Sequence, residues 1–588
     1  MTPDLILLPH PRQLTYGGDG PAADTPVSCV VDDELPEQGF ELDLGATVTL
    51  RHRDPAGLRY GLALLDQIRA QSTERLPGLN IRDWPDFGIR GYMLDISRGR
   101  VPARATLERL VDVLALVRVN QLQLYTEHTF AYTDHERVWR EASPLTAADI
   151  AWLDAECAAR GIELVANQNS FGHMEHWLKH PEYRDRAESP DGFELFGAHR
   201  NASTLAATED NAEFALGLLD ELLGHFTSRT VNIGCDEPWE FGKGASAAAV
   251  AERGRGAVYV EHLNRLIRPL LAKGLDVQFW GDIIAHYPEL VPQLPDGATA
   301  VAWTYEAPRD PSDPMPWPET NLDAFRAAGL NPDDLTAGFT RTAQAFIEAG
   351  YPFWVAPGTS TWLSLVGRID NARANLRDAA QVGAASGATG YLITDWGDHG
   401  HLQPPSVSVP AVAYGAAVAW CLDTNAELPL ARAVDAHVFG DSSGRLGATL
   451  EKIGTAWGRT GLHAFNASPL QQALTGAGLS VFGDIDTDGV RAVVADLDDA
   501  LVVLDGLDLT APDGDAVIAE LRAAIRLARH GALRLLVRAD ESAADSAALR
   551  ADLAESIDLH SDAWDARSRS GGKEIGMSAL AATLAEYA

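Results

Sequence analysis

From residue 89 onward the chain alternates short apolar or β-branched runs with longer stretches whose apolar positions recur every three or four residues. The short runs are GIRGYMLD (88–95), NQLQLYTE (120–127), IELVANQN (162–169), TVNIGCDE (230–237), DVQFWGD (276–282), ATAVAWTYE (298–306), PFWVAPG (352–358) and TGYLITDW (389–396). Intervening segments such as ARATLERLVDVLALVR (103–118) and AADIAWLDAECAARG (147–161) have helical spacing. Eight strand–helix units over about 330 residues predict an α/β protein of the (β/α)8 TIM-barrel class. A doubly wound open sheet is the competing architecture. No glycine fingerprint follows the first strand, and polar residues end nearly every run, which favours the barrel.

The pattern changes on both sides of this region. Residues 1–87 read as a small α/β domain. There, VTLRHRDPAGLRYGLALLDQIRAQ predicts a strand, a turn at Asp54-Pro55-Ala56-Gly57 and an amphipathic helix. IRDWPDFG (81–88) is the connector, punctuated by Pro85 and Gly88. The barrel is expected over 88–425, and 426–588 as a helical C-terminal region rich in Ala, Leu, Asp and Arg. The proline-rich 307–319 reads as a surface loop. HSDAWDARSRSGGKE (560–574) either folds against the barrel or a partner subunit, or is a solvated helix end.

Composition narrows the function classes. The 588 residues are 46% apolar, enough for several domains with large cores. A net charge of −36 disfavours nucleic acid and anionic membrane surfaces. Cys29, Cys157, Cys235 and Cys421 form no CxxC pair, so neither a zinc site nor a disulfide framework is indicated. No stretch approaches the roughly 20 apolar residues of a membrane span. The apolar run in MTPDLILLPHPRQ is too short for a secretory signal. These features predict a cytoplasmic protein with free thiols; a homodimer is left open.

The polar ends of the eight runs form one set. They supply Arg98; Tyr125 and Glu127; Asn169, His173 and Glu175; Asp236 and Glu237; Trp280 and Asp282; Trp303, Tyr305 and Glu306; and Trp396 and Asp398. In a barrel, groups at the carboxyl ends of strands converge on one mouth. Indole faces beside hydrogen-bonding carboxylates suit a sugar ring. Read blandly, the tryptophans fill the core, Asp236 caps a helix and Glu237 is solvated.

RGYMLDISR, FGHMEHWLKHPEY and above all NIGCDEPWEFGKG resemble glycoside hydrolase family 20, the β-N-acetylhexosaminidases, and most closely its intracellular hexosaminidase D-type branch. The resemblance spans roughly residues 40–420, including DPAGLRYGL and DWPDFGIRG of the family's leading domain. It implies a retaining, exo-acting mechanism in which the substrate's 2-acetamido oxygen is the nucleophile. On this implication Glu237 is the acid/base and Asp236 holds the acetamido nitrogen. Arg98 and Asp398 would bind the outer hydroxyls. Trp280, Trp303 and Trp396 would wall the pocket, with Asn169 among the substrate-binding residues. Glu127 and His173 would tune the acid, and Tyr305 would bond the acetamido oxygen. The partner implied is a carbohydrate with a terminal β-linked N-acetylhexosamine, and no cofactor is implied. The chain departs from the family pattern in having Glu on strand two, Asp on strand eight and no Tyr-x-Asp on strand seven. Independently of the resemblance, VAPGTSTW at the seventh strand offers no glutamate nucleophile. Adjacent residues of an ideal strand point to opposite faces, so strand four must bend or end near Asp236 if both acids serve one sugar.

Other readings carry less. His173, His176 and His180 have helical spacing, but no HExxH accompanies them, so no metal is expected. The paired histidines at 399–401 follow the eighth strand, not the first as in metal-dependent amidohydrolases. Cys235 reads as a small buried hydrophobe. Two rival functions remain: a non-catalytic sugar-binding protein, and a two-carboxylate glycosidase with Glu306 or Asp282 opposite Glu237.

Overall fold

The structure, a computed structural model, describes residues 4–327, 330–476, 483–539 and 545–587. Positions 1–3 of the expected N-terminal unit lie outside the described residues, as do 477–482, 540–544 and 588 of the expected helical region.

The chain opens with a five-stranded sheet made of Gln13–Ala22, Val27–Val31, Phe40–Leu44, Val48–His52 and Arg75–Asp83, in the spatial order first, fifth, third, fourth, second. Phe40, Leu42, Leu44, Val48 and Leu50 alternate onto one face and are fully buried there. They meet Tyr60, Leu64, Leu65 and Ile68 of the helix Pro55–Ala70, so a period of two packs against a period of 3.6. Asp54-Pro55-Ala56-Gly57 is the start of that helix and not the separate turn expected. Asp54 caps it by accepting the Gly57 N–H at 2.8 Å, and Pro55 takes the first helical position, where a missing N–H costs nothing. Trp420 and Cys421, at the end of the helix that follows the eighth barrel strand, complete this core. Trp420 Nε1 donates to Asp83 at 2.9 Å, and Arg118 bonds the same carboxylate at 2.7 Å.

All eight expected runs form barrel strands. In order they are Arg90–Asp95, Gln121–Thr126, Glu163–Gln168, Thr230–Asn232, Asp276–Trp280, Ala298–Trp303, Phe353–Ala356 and Gly390–Asp395. Each is parallel to its neighbour, and the eighth pairs back onto the first from Tyr391↔Arg90 to Asp395↔Leu94, closing the barrel and excluding an open sheet. Part of the interior is a polar layer: Gln123 donates to Gln121 and Gln278, and Asn167 donates to Gln123, at 2.9–3.0 Å. Tyr125, Trp280, Tyr305, Trp354 and Trp396 share a second, aromatic cluster.

Helices follow the barrel, the longest being Thr487–Asp505, Gly514–Ala539 and Ser546–Arg567. Segment 560–574 folds against the barrel. Arg567 pairs with Glu520 at 2.7 Å and Asp513 at 2.8 Å, and the Arg569 N–H donates to Val101 O at 2.8 Å. Gly572 lies so close to Gly99 that a Cβ there would sit 2.3 Å from the Gly99 oxygen. Residues 307–318 carry neither helix nor strand and are mostly exposed, although Trp317 is buried. No helix among the described residues is long and apolar enough to cross a membrane.

Candidate active site

The fourth strand ends at Asn232, and the turn after it decides the geometry of the site. Gly234 (φ +69°), Cys235 (φ +73°) and Glu237 (φ +44°) adopt left-handed conformations. These reversals break the strand alternation, and Asp236 and Glu237 line one cleft. A left-handed non-glycine residue costs of order 1–3 kcal/mol, so the surroundings must hold it. Asn169 Oδ1 accepts the Cys235 N–H at 3.2 Å, Tyr259 donates to Cys235 O at 2.7 Å, and Asp282 Oδ2 accepts the Glu237 N–H at 3.2 Å. Gly172 presses on the same turn: a Cβ there would lie 2.3 Å from Asp236 O.

The residues following Glu237 are pinned by two buried carboxylates. Glu188 accepts the N–H groups of Gly242, Gly244 and Ser246 at 3.0–3.1 Å. Glu240 accepts the N–H groups of Ser203 and Thr204 at 2.7 Å. The sequence EPWEFGKG is thus a rigid loop, and its glycines admit this close approach.

His173 joins the two acids. Its Nε2 lies 3.3 Å from Asp236 and 3.5 Å from Glu237, and its Nδ1 is 4.0 Å from Glu127. Burial alone would discharge it, but the neighbouring Asp236 outweighs burial and holds its pKa well above the usual value. Burial likewise opposes ionisation of Asp236. His173 and the Asn169 amide, which donates at 2.7 Å, overcome it and keep this pKa below the usual value. Burial pushes Glu127 up to about 7 against the pull of Arg98 and His173. Asp282 is raised well above the usual range by burial and by its neighbours Asp236 and Glu237. The turn therefore combines an anion at 236, a cation at 173 and, at 282, a buried carboxyl whose ionisation its neighbours disfavour.

Arg98 stands opposite. It pairs with Asp95 at 2.9 Å and with Glu127 and Asp398 at 3.3 Å, and lies over the rings of Tyr125 and Trp396. Trp303 stacks on Tyr305 at 5.1 Å and 20°, and Trp280 meets Trp396 at 6.0 Å. Arg98, His173, Asp236, Glu237, Trp280, Trp303, Tyr305, Trp396 and Asp398 all line a single cleft of about 830 Å³. Glu127 and Asn169 sit behind it: Asn169 is fully buried, with its amide directed at Asp236 and Cys235. Glu306 also faces the cleft, but Arg368 holds both its oxygens, at 2.9 and 3.2 Å.

Sequence reading missed contributors from three segments. Trp362, in the TSTW loop after the seventh strand, packs edge-on against Tyr305 at 5.1 Å. Its indole N–H, like that of Trp280, is buried without a hydrogen-bond partner. Phe465 and Asn466 reach the cleft from the C-terminal region, and Phe196 and Arg200 from the hairpin Phe193–Leu195/Ala198–Arg200.

Ligand atoms of Glu127, His128 and His176 come within 4.8 Å of one another. The two imidazoles are stacked, 3.7 Å apart and 10° from parallel. Ring-nitrogen lone pairs lie in the ring planes, so these do not converge on one ion. Burial pushes the Cys235 thiol up to about 12, far from a thiolate.

A closed (β/α)8 barrel with acids, an arginine and indoles at one mouth defines a barrel of the glycosidase type. The model of the catalytic domain of glycosyl hydrolase family 20 matches residues 87–311, and the model of that family's domain 2 matches residues 7–84. The chain belongs to glycoside hydrolase family 20. A lacto-N-biosidase of Bifidobacterium bifidum is 24% identical over 267 residues, 43% of this chain and 23% of its own length. Bovine hexosaminidase D is 22% identical over 237 residues, 38% of this chain and 64% of its own. The chain thus spans less than two thirds of either relative. The chitobiase of Flavobacterium johnsoniae shares the fold over 99% of both chains, with a TM-score of 0.56 and 15% identity.

Proposed function

We propose that this chain is an exo-acting, retaining β-N-acetylhexosaminidase that releases terminal GlcNAc or GalNAc by substrate assistance. The observation that carries the reading is the left-handed turn that brings Asp236 and Glu237 into one cleft, with Asp236 kept ionised by His173 and Asn169. Glu237 protonates the leaving oxygen while the 2-acetamido oxygen attacks the anomeric carbon. Asp236 accepts from the acetamido N–H and stabilises the positive charge of the oxazolinium. Water then attacks the anomeric carbon, Glu237 takes its proton, and the acetamide reforms with the configuration retained. Trp280, Trp303 and Trp396 enclose the sugar, Tyr305 donates to the acetamido oxygen, and Arg98 with Asp398 holds the outer hydroxyls. In this reading 88–425 is the catalytic unit, flanked by the domains 1–87 and 426–588.

The rival two-carboxylate mechanism finds poor nucleophiles here: Glu306 is tied to Arg368, and burial with the neighbouring Asp236 and Glu237 disfavours ionisation of Asp282. A sugar-binding protein would have no use for an ionised Asp236 beside an acid. A thiazoline analogue of the oxazolinium tests the reading. Inhibition at least a hundredfold tighter than by the parent N-acetylhexosamine is expected. Equal affinity for the two would reject substrate assistance.

A further inference from the structure

The cleft is larger than one sugar ring needs: its volume of about 830 Å³ is in the upper part of the ~300–1,000 Å³ that drug-sized ligands occupy. Asp236, Glu237, Asp282 and Asp398 crowd its inner part, together with Arg98 and His173. The outer end has an apolar wall where Phe196 meets Trp239 and Phe325, and Phe465 meets Phe325 at 5.5 Å.

Three further cations line the cleft: Arg200 and Lys243, which are exposed, and the half-buried Arg255. Among the described residues their side chains form no ion pair. Arg255 gives one N–H to Pro238 O at 3.2 Å, and its Nε is buried without a partner. Asp334, the acid at this end, is taken by Arg341 at 2.8 Å. Glu188, behind the loop of Lys243, spends its charge on backbone N–H groups and on Ser246. In a chain of net charge −36, three cations of one cleft that lack an ion pair offer a local attraction for an anion.

We propose that the outer end receives an acidic leaving group, so that the substrate class is a β-N-acetylhexosaminide whose aglycone carries a carboxylate, sulfate or phosphate. This inference rests on the hexosaminidase reading. Its test uses phenyl β-N-acetylglucosaminides with a para carboxymethyl, sulfomethyl or phosphonomethyl group, and the methyl ester of the first as neutral control. The methylene spacer keeps the phenol leaving groups closely matched. The acidic glycosides should show roughly tenfold higher kcat/KM than the ester at low ionic strength, and salt should erode that ratio. The most favoured of the three names the anion. The ratio should fall towards one in an Arg200→Gln/Arg255→Gln protein and largely survive Arg255→Lys. Because each ratio is taken within one protein, a partly unfolded variant does not distort it. A wild-type ratio near one, with the ester turned over, would overturn the acidic leaving group and leave the hexosaminidase standing. So would a ratio that survives the double substitution. Turnover of none of the glycosides would remove the hexosaminidase reading and this inference with it.

Discussion

The Asn169 amide donates to Asp236 Oδ1 at 2.7 Å while its own oxygen accepts the N–H of Cys235 at 3.2 Å, so one buried side chain fixes both the acid and the strained residue before it. Asn169→Ala leaves a buried donor and a carboxylate oxygen unpaired, a loss of about 1–3 kcal/mol. A fall in kcat of roughly 5- to 150-fold is expected, with little change in KM. Asn169→Asp places a second carboxyl beside Asp236 and should move the acidic limb of the pH–rate profile upward. Wild-type kcat in both variants would show that Asn169 does not position Asp236.

Glu237→Gln removes the proposed proton donor. General acid–base groups typically contribute about 10²–10⁴-fold, so kcat on an alkyl glycoside should drop by that order. A dinitrophenyl leaving group needs little protonation, and its glycosylation step should suffer far less. Equal losses on both leaving groups would place Glu237 outside the acid role.

Asp236→Asn keeps the shape and removes the charge that, on the proposed mechanism, faces the oxazolinium. Its interaction strengthens in the transition state, so kcat should fall more than KM rises. Steady-state kinetics in which only KM moved would make Asp236 a ground-state binding residue.

Glu127 makes a pH-dependent contribution to stability. Its pKa is about 7 when folded against an ordinary 4.5, so between these values the folded chain holds a proton that the unfolded chain has lost. Stability from this group is therefore present at low pH, declines as pH rises through that window, and stays low above it. Glu127→Gln, which mimics the protonated form, should raise Tm by a few degrees at about pH 8 and hardly at all at about pH 4. Thermal unfolding at both pH values measures this. A variant destabilised more at the higher pH would mean that ion pairing with Arg98 outweighs burial.

Much of the barrel was legible because strands and helices have different periods, and all eight β-rich runs became barrel strands. The cleft was legible where its residues sit at strand ends: Arg98, Glu237, Trp280, Trp303 and Trp396 are local in sequence to those ends. Trp362 lacks that signal, since its strand stops at Ala356 and a loop carries the ring back to Tyr305. Phe465 and Asn466 come from a region whose sequence shows only helical periodicity, and nothing local announces that Asn466 N–H bonds Glu306 at 2.6 Å. The turn predicted at Asp54 failed for a different reason: Asp-Pro-x-Gly suits a turn and a capped helix start equally, and the apolar spacing that follows decides between them. The contact of segment 560–574 with the barrel depends on Gly99 and Gly572 meeting across more than four hundred residues, a pairing with no sequence period.

The central claim is that the substrate's acetamido group does the work of an enzyme nucleophile. Release of nitrophenol from the β-GlcNAc, β-GalNAc and plain β-glucoside derivatives, by the wild type and by Glu237→Gln, tests it most directly. Turnover of one or both acetamido sugars, none of the glucoside, and loss of activity in the variant are expected. Comparable turnover of the glucoside would contradict the account, because that sugar has no acetamido oxygen to attack its own anomeric carbon.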